Sequence, residues 1–396
     1  MMQISPETQL FIREHSSDDV RVLALQAKKY PDIDMPTAIT QIAGRKVAAE
    51  KIPSWWEIEK IWYPKHLSLE QCSSEITARY KARLLQGDSL TDLTGGFGID
   101  CSFLATGFKS ATYVERQEEL CEIAAHNFPV LNLNHINIKN EDGVTYLQVM
   151  SPVDCLFLDP ARRNEHGGKT VAISDCEPNV AELEELLLQK ANRVMIKLSP
   201  MLDLSLALKE LKQTQEVHIL SVNNECKELL ILLGQTSPAE ISIHCVNLFT
   251  KGTQKEQHFV FTREQEQCSE CTYTDSLETY LYEPNASLLK AGAFRSIAAA
   301  YPVRKLHPNS HLYTSDTFIE NFPGRIFRIV NQCSFNKKEV KKNRADLKKE
   351  NVTVRNFPAT VAELRKRIHL AEGGDTYLFA STLNNGQKVL IRCEKV

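Results

Sequence analysis

Apolar residues recur at three- and four-residue spacing through FIREH, VRVLALQAKKY and PTAITQIAGRKVAAEKI. This spacing predicts helices over residues 1–64, interrupted at Pro31, Pro36 and Pro53. Trp55, Trp56, Ile58, Ile61, Trp62 and Tyr63 follow as an aromatic cluster, expected to pack this helical cap onto the next part of the chain. Residues 68–86, SLEQCSSEITARYKARLLQ, read as one helix. Ser73 or Ser74 could cap its second half, and Arg79, Lys81 and Arg83 give it a basic face. At Ser89 the pattern changes. SLTD is a short apolar strand, TGGFG a glycine-dense turn, and a helix opens near Ile99 and stops at Gly107.

The alternation then repeats. SATYVE (Ser110–Glu115) is a strand, Gln117–Asn127 a helix, and Ile136–Ile138 a short strand before Asn140-Glu141-Asp142-Gly143. VDCLFLDP and NRVMIKLSP are uninterrupted apolar runs ended by proline, as suits strands buried on both faces of a parallel sheet, with a helix at Val180–Lys190 between them. VHILSV, ELLILLG and ISIHCVNLF add three strands with little room for helices between the last two, so the sheet is expected to end in an antiparallel pair. Between Thr262 and Asp275 periodicity is lost, which reads as a linker. Beyond it, ASLLKAGAFRSIAAAY reads as a helix. Short pieces then follow in the order β-α-β-α-β-β, the signature of a small α+β domain.

Length and charge sharpen this. A chain of 396 residues exceeds one average domain. No run of about 18 apolar residues predicts a membrane span, and the N-terminus has no leader pattern, so a cytoplasmic protein is expected. The eleven cysteines form no framework, and the close pair Cys268 and Cys271 has no second pair at zinc-ribbon spacing, so no metal is expected. The overall charge of −3 is uneven. Residues 285–396 hold 20 lysines and arginines against 9 acids, a net of +11, and the remainder is at −14. A basic tail on an acidic body is the footprint of a polyanion partner.

A glycine-rich turn lets backbone approach a ligand closely, and the helix after it presents unpaired N–H groups. An acid at the end of the second strand, here Glu115, is placed to accept ribose hydroxyls. A nicotinamide dehydrogenase would need G-x-G-x-x-G, which fails after Gly98. Gly167-Gly168-Lys169-Thr170 ends like a P-loop but has Arg163 where the first glycine belongs.

Asp92-Leu93-Thr94-Gly95-Gly96-Phe97-Gly98, Glu115, Glu141-Asp142 and Asp159-Pro160, each at a strand end, resemble the class I S-adenosylmethionine-dependent methyltransferases. The resemblance implies a Rossmann-like α/β sheet with S-adenosylmethionine as cofactor. Asp92, Thr94, Gly95, Gly96, Phe97, Gly98 and Asp100 would surround the methionine moiety, Glu115 the ribose and Asp142 the adenine amine, with Asp159 at the edge of this site. Thr94 stands where the family's first glycine is usual. Asp159 and Pro160 match the acceptor loop of enzymes that methylate exocyclic amines, with Arg162 in the place of the stacking aromatic. Lys197 ends the next strand on the same edge, and these four are the implied catalytic group. Glu75, Arg79 and Tyr80 are further pocket candidates.

YEPNASLLKAGAFR, HLYTSD, FPGR and GGDTYLFASTL resemble the THUMP-like module at the tail of some bacterial methyltransferases. True THUMP domains bind RNA, so the implied partner is structured RNA such as rRNA or tRNA. Lys337, Lys338, Lys341, Lys342, Arg344 and Lys348 fall on one predicted helix, and with Arg355 they are the candidate phosphate contacts. The expected division is a helical cap (1–64), a methyltransferase domain (65–270), a connecting ferredoxin-like segment (271–322) and a basic THUMP-like α+β domain (323–396). A small-molecule or protein methyltransferase, and a non-catalytic RNA-binding protein on the same fold, are the rival expectations.

Overall fold

The structure is a computed structural model that describes residues 4–162, 172–236, 238–336, 338–340 and 349–396, without the side chain of Arg162. The chain forms two compact units, Met1–Gln215 with Leu229–Pro238, and Glu216–Glu228 with Ala239–Val396.

The first unit opens on helices α1 (Pro6–Glu14), α2 (Val20–Leu25), α3 (Met35–Lys51) and α4 (Pro53–Trp56). Ser5, Asp19 and Asp34 cap the first three by accepting from the N–H two or three residues on. Residues 68–86, expected as one helix, form two: α5 (His66–Gln71) and α6 (Glu75–Ala82). The chain turns extended at Cys72 (ψ 160°) and Ser74 (ψ 155°), and neither proline nor glycine marks the break. Ser74 occupies the N-cap position of α6 without a side-chain hydrogen bond to the helix.

The α/β alternation follows as β1 (Ser89–Asp92), α7 (Ile99–Ala105), β2 (Ser110–Glu115), α8 (Glu118–Val130), β3 (Ile136–Asn140), α9 (Gly143–Val149) and β4 (Val153–Leu158). A two-residue ribbon comes next, β5 (Ala161–Arg162) against β6 (Cys176–Glu177), then α10 (Val180–Lys190), β7 (Ala191–Leu198) and α11 (Leu204–Glu210). β8 (Thr214–Val222) and β9 (Glu225–Gly234) form a hairpin that supplies strands to both units. Its turn, Asn223 (φ 49°) and Asn224 (φ 68°), has the two left-handed residues that suit the twist of a hairpin. In the first unit the strand order is β3-β2-β1-β4-β7-β9, parallel except for β9, as the uninterrupted apolar runs predict. Chain direction across the sheet reverses between β1 and β4, the place where open α/β sheets hold their ligands.

The second unit pairs β8 parallel with β10 (Ser242–Leu248) and β10 antiparallel with β11 (Glu256–Thr262). The stretch expected as a linker instead holds α12 (Arg263–Cys268), started by a reciprocal cap between Thr262 and Gln265. Next come β12 (Tyr280–Pro284), α13 (Ala286–Ala291) and α14 (Ser296–Ala300). The single helix expected here is broken at Gly292 (φ 79°), which terminates α13. β13 (Arg304–Lys305), β14 (Tyr313–Ser315), β15 (Gly324–Ser334), β16 (Asn351–Val354), α15 (Val361–Ile368), β17 (Thr376–Thr382) and β18 (Lys388–Lys395) complete the chain. One seven-stranded sheet, β13-β14-β12-β15-β18-β17-β16, covers a core built on Leu281, Phe327, Phe379 and Ile391. No helix among the described residues is long and apolar enough to cross a membrane.

Candidate functional site

The turn after β1 hangs from both neighbouring strands. Leu93 N–H donates to Phe157 O (3.0 Å) and Gly95 N–H to Val114 O (2.9 Å). Gly95 lies so close to the Tyr113 ring that a Cβ would meet it at 2.3 Å. Gly96 is left-handed (φ 53°), and its missing Cβ would meet nothing nearer than Thr94 O at 3.8 Å, so that side of the turn is open. Glu115 holds this geometry: its Oε2 accepts from Gly96 N–H (2.9 Å) and its Oε1 from Gln117 N–H (2.9 Å). The Tyr113 hydroxyl donates to Gly96 O. Phe97 points the other way, edge-on to Trp55 at 5.2 Å between ring centres, inside an apolar cluster with Ile61, Tyr63 and Phe103. The aromatic cap thus packs on the turn itself, as the cluster predicted. The Phe97 side chain is buried in that cluster.

Thr94, in the place of a glycine, links three site residues. Its N–H donates to Asp92 Oδ1 (2.9 Å), and its Oγ1 accepts from Asp159 N–H (2.6 Å). One hydroxyl therefore ties the donor-side turn to the loop after β4. Asp142 reaches the same corner from β3: a Cβ on Gly143 would lie 2.2 Å from Leu93 O, so only glycine lets that junction approach the turn. Asp142 Oδ1 caps α9 through Val144 and Thr145 N–H (both 3.0 Å), and its Oδ2 takes no part in the cap.

Beside the turn lies a chain of alternating charges. Asp100, on the first turn of α7, accepts from Ser73 Oγ (2.7 Å) and pairs with Lys81 Nζ (2.9 Å). Lys197 Nζ is 3.6 Å from Asp100 and donates to Asp159. Lys81 is fully buried and also donates to Ser73 (2.8 Å). Burial alone would raise Asp100, but Lys81 and Lys197 hold it below the usual carboxylate range. Asp92 has no such partner. Burial, with the neighbouring carboxylates adding to it, pushes it up to about 8, and its Oδ2 is buried without a hydrogen bond. Asp159 is the open member, with 37 % of its side chain exposed against 10 % for Asp100.

Asp92 makes stability pH-dependent. Its folded value lies above the unfolded one near 4, so its contribution is complete below about pH 4 and is lost as pH rises toward 8. Thermal denaturation at pH 5, 6, 7 and 8 should show wild type losing ground to Asp92→Asn at each step. A constant difference between the two would contradict the neutral, buried carboxyl.

The structure therefore brings Asp92, Thr94, Gly95, Gly96, Gly98, Asp100, Glu115, Asp142, Asp159, Pro160 and Lys197 to one end of one sheet. Ser73, Lys81, Tyr113 and Gly143 join them without having been expected. Lys81 does not belong to a basic face: Arg79 lies over Phe103 and pairs with Glu75, Arg83 lies over Tyr80, and Lys81 turns inward. Glu75 is engaged by Ser54 N–H (2.8 Å) and Arg79. In the second unit Lys338 is exposed, whereas Arg355 pairs with the buried Glu283 (3.0 Å) beside Arg325. Lys337, Lys341, Lys342, Arg344 and Lys348 lie outside the described residues, as do Gly167–Thr170 and the Arg162 side chain.

Strand order, glycine turn and strand-end acids together define a class I methyltransferase fold. Family models match the second unit, a ferredoxin-like domain over residues 280–323 and a THUMP domain-like module over 324–395. A Porphyromonas gingivalis W83 protein with a provisional methyltransferase designation is similar over 100 % of both chains, with 34 % identity and a TM-score of 0.88. Two smaller proteins overlap only 40 % of this chain, each at 14 % identity and TM-score 0.30. One is an rRNA methylase from Streptococcus thermophilus (93 % of that chain), the other a Streptococcus mutans protein solved with SAH (96 %). At that level they add nothing to the assignment. No curated protein matches. The chain belongs to the family of the Porphyromonas gingivalis protein, with a class I methyltransferase fold and a C-terminal THUMP-like domain.

Proposed function

We propose that this protein methylates structured RNA from S-adenosylmethionine, at a nucleobase and preferentially at an exocyclic nitrogen. One observation carries the reading: the Asp159 N–H···Oγ Thr94 bond couples the seat of a methyl donor to the partly exposed Asp159 at the end of β4. Two features fit the donor. The open side of Gly96 leaves room for a ligand against the backbone, and Asp92 Oδ2 is a buried polar atom with no hydrogen-bond partner of its own.

The Gly95–Gly98 turn with Asp92 would hold the methionine part, Glu115 the ribose and Asp142 Oδ2 the adenine amine. When bound, the cofactor supplies an electrophilic methyl, so the protein's task is to position the acceptor. Asp159 does this at one carboxylate oxygen, which accepts an N–H of the target amine while the other is held by Lys197. Burial pushes the Asp159 carboxyl up, and Lys197, held between Asp159 and Asp100, opposes that shift and orients the group. Arg162 is assigned to the target nucleotide, by stacking or by pairing with its phosphate.

The THUMP domain-like module and the excess of +11 over residues 285–396 support RNA as the substrate, held by Lys338 and the basic residues of the same stretch. In this reading residues 1–64 brace the turn, 65–270 carry the chemistry, 271–322 connect, and 323–396 position RNA in the cytoplasm. Mass analysis of rRNA and tRNA nucleosides from cells with and without the gene tests it. One methylated nucleoside should disappear. Identical profiles would count against RNA as the acceptor.

A further inference from the structure

A second cluster of reactive side chains lies in the second unit. Side chains on a strand alternate between faces, so Glu216 and His218 of β8 share one face. His218 pairs in register with His244 of β10, and His244 with Val260 of β11, two positions from His258. All four side chains therefore emerge on the same side of three adjacent strands. Glu216, His218 and His244 each offer a ligand atom within 4.8 Å of the others. His218 Nε2 is 3.3 Å from Glu216 Oε2, and His244 Nδ1 is 3.1 Å from His258 Nε2. The His218 and His244 rings stack at 4.3 Å.

We propose that Glu216, His218, His244 and His258 bind one divalent transition-metal ion of the zinc class. Bonds of about 2.0–2.2 Å in a tetrahedron put ligand atoms roughly 3.3 Å apart. The two close pairs already have that separation, and on binding the stacked His218 and His244 rings must turn out of their parallel planes so that both point a nitrogen at the ion. Two imidazole nitrogens at 3.1 Å cannot both carry a proton, so at least one of the two presents a lone pair. Three imidazoles and a carboxylate select zinc, nickel or copper over magnesium or calcium. Four protein ligands fill a tetrahedron and leave no open position, the mark of a structural site that fastens β8, β10 and β11 together. The proposal is independent of the acceptor assigned above.

The test uses the full-length protein after chelator treatment, titrated with Zn²⁺ by calorimetry and with Co²⁺ by absorption. One ion per chain is expected, with tetrahedral cobalt bands and no thiolate charge-transfer band. His244→Gln and His258→Gln should each weaken binding at least about tenfold. His258 is exposed, so its replacement reads the site without disturbing the core. Absence of saturable binding at micromolar metal would overturn the proposal, as would unchanged affinity in both variants. A charge-transfer band abolished by Cys268→Ser with Cys271→Ser would assign the metal to the cysteines instead.

Discussion

Replacing Lys81 with methionine is expected to lower the stability of the protein by about 3–5 kcal/mol, the usual cost of stranding one member of a buried ion pair. Lys81 is fully buried, and its ammonium is the nearest positive charge to Asp100, at 2.9 Å. Methionine fills the stem but leaves Asp100 with Ser73 and with Lys197 at 3.6 Å. Arg79→Ala, four residues from Glu75 on an exposed helix face, should cost less than about 1 kcal/mol by comparison. Urea denaturation of both variants checks the contrast. Adding Asp100→Asn to Lys81→Met should restore part of the loss, because the unpaired charge is then removed. Equal, small losses for Lys81→Met and Arg79→Ala would mean the buried network does not stabilise the fold.

The second large effect is on transfer. Asp159→Ala is expected to reduce the methylation rate by about a hundredfold or more, the scale on which a preorganised polar contact acts, while leaving donor affinity within a fewfold of wild type. The separation follows from the hydrogen bonds. The contact between Asp159 and the turn is through its backbone N–H to Thr94, which alanine preserves, whereas the carboxylate is the part assigned to the acceptor in the proposed function. Lys197 keeps Asp100 as a partner in the variant, so the site is not left with an unpaired ammonium. Rate and donor affinity measured on the same preparation decide this. Full activity in Asp159→Ala would remove that residue from the chemistry.

The strand-turn-helix at Ser89–Ala105 was legible because two strong signals coincide there, an apolar run and a glycine cluster. Glu115 and Asp159 were legible because strand ends in a parallel sheet converge on one edge. Lys81 was not. Read together with Arg79 and Arg83, it suggested a shared basic face, yet residues two apart on a helix point to opposite sides. Lys81 therefore turns inward where its neighbours turn out. The break at Cys72–Ser74 carries no proline or glycine, and only the tertiary demand of Ser73 for Asp100 marks it. The helix Arg263–Cys268 has a capping box but no apolar stripe, so polarity masked a boundary that its Thr262 and Gln265 announced. Tyr113 and Gly143 act by proximity to residues far off in sequence, which no local pattern displays.

In the proposed function a methyl donor sits against the turn that begins at Asp92. Calorimetric titration of S-adenosylmethionine into wild type and Gly96→Val tests this directly, with far-ultraviolet circular dichroism confirming that both are folded. Gly96 is left-handed at φ 53° and open on the side where a side chain would project. Valine there both strains the turn and fills the space the ligand needs. Saturable one-to-one binding to wild type is expected, and none to folded Gly96→Val. Failure of the folded wild type to bind, or undiminished binding by the valine variant, would contradict that placement of the donor.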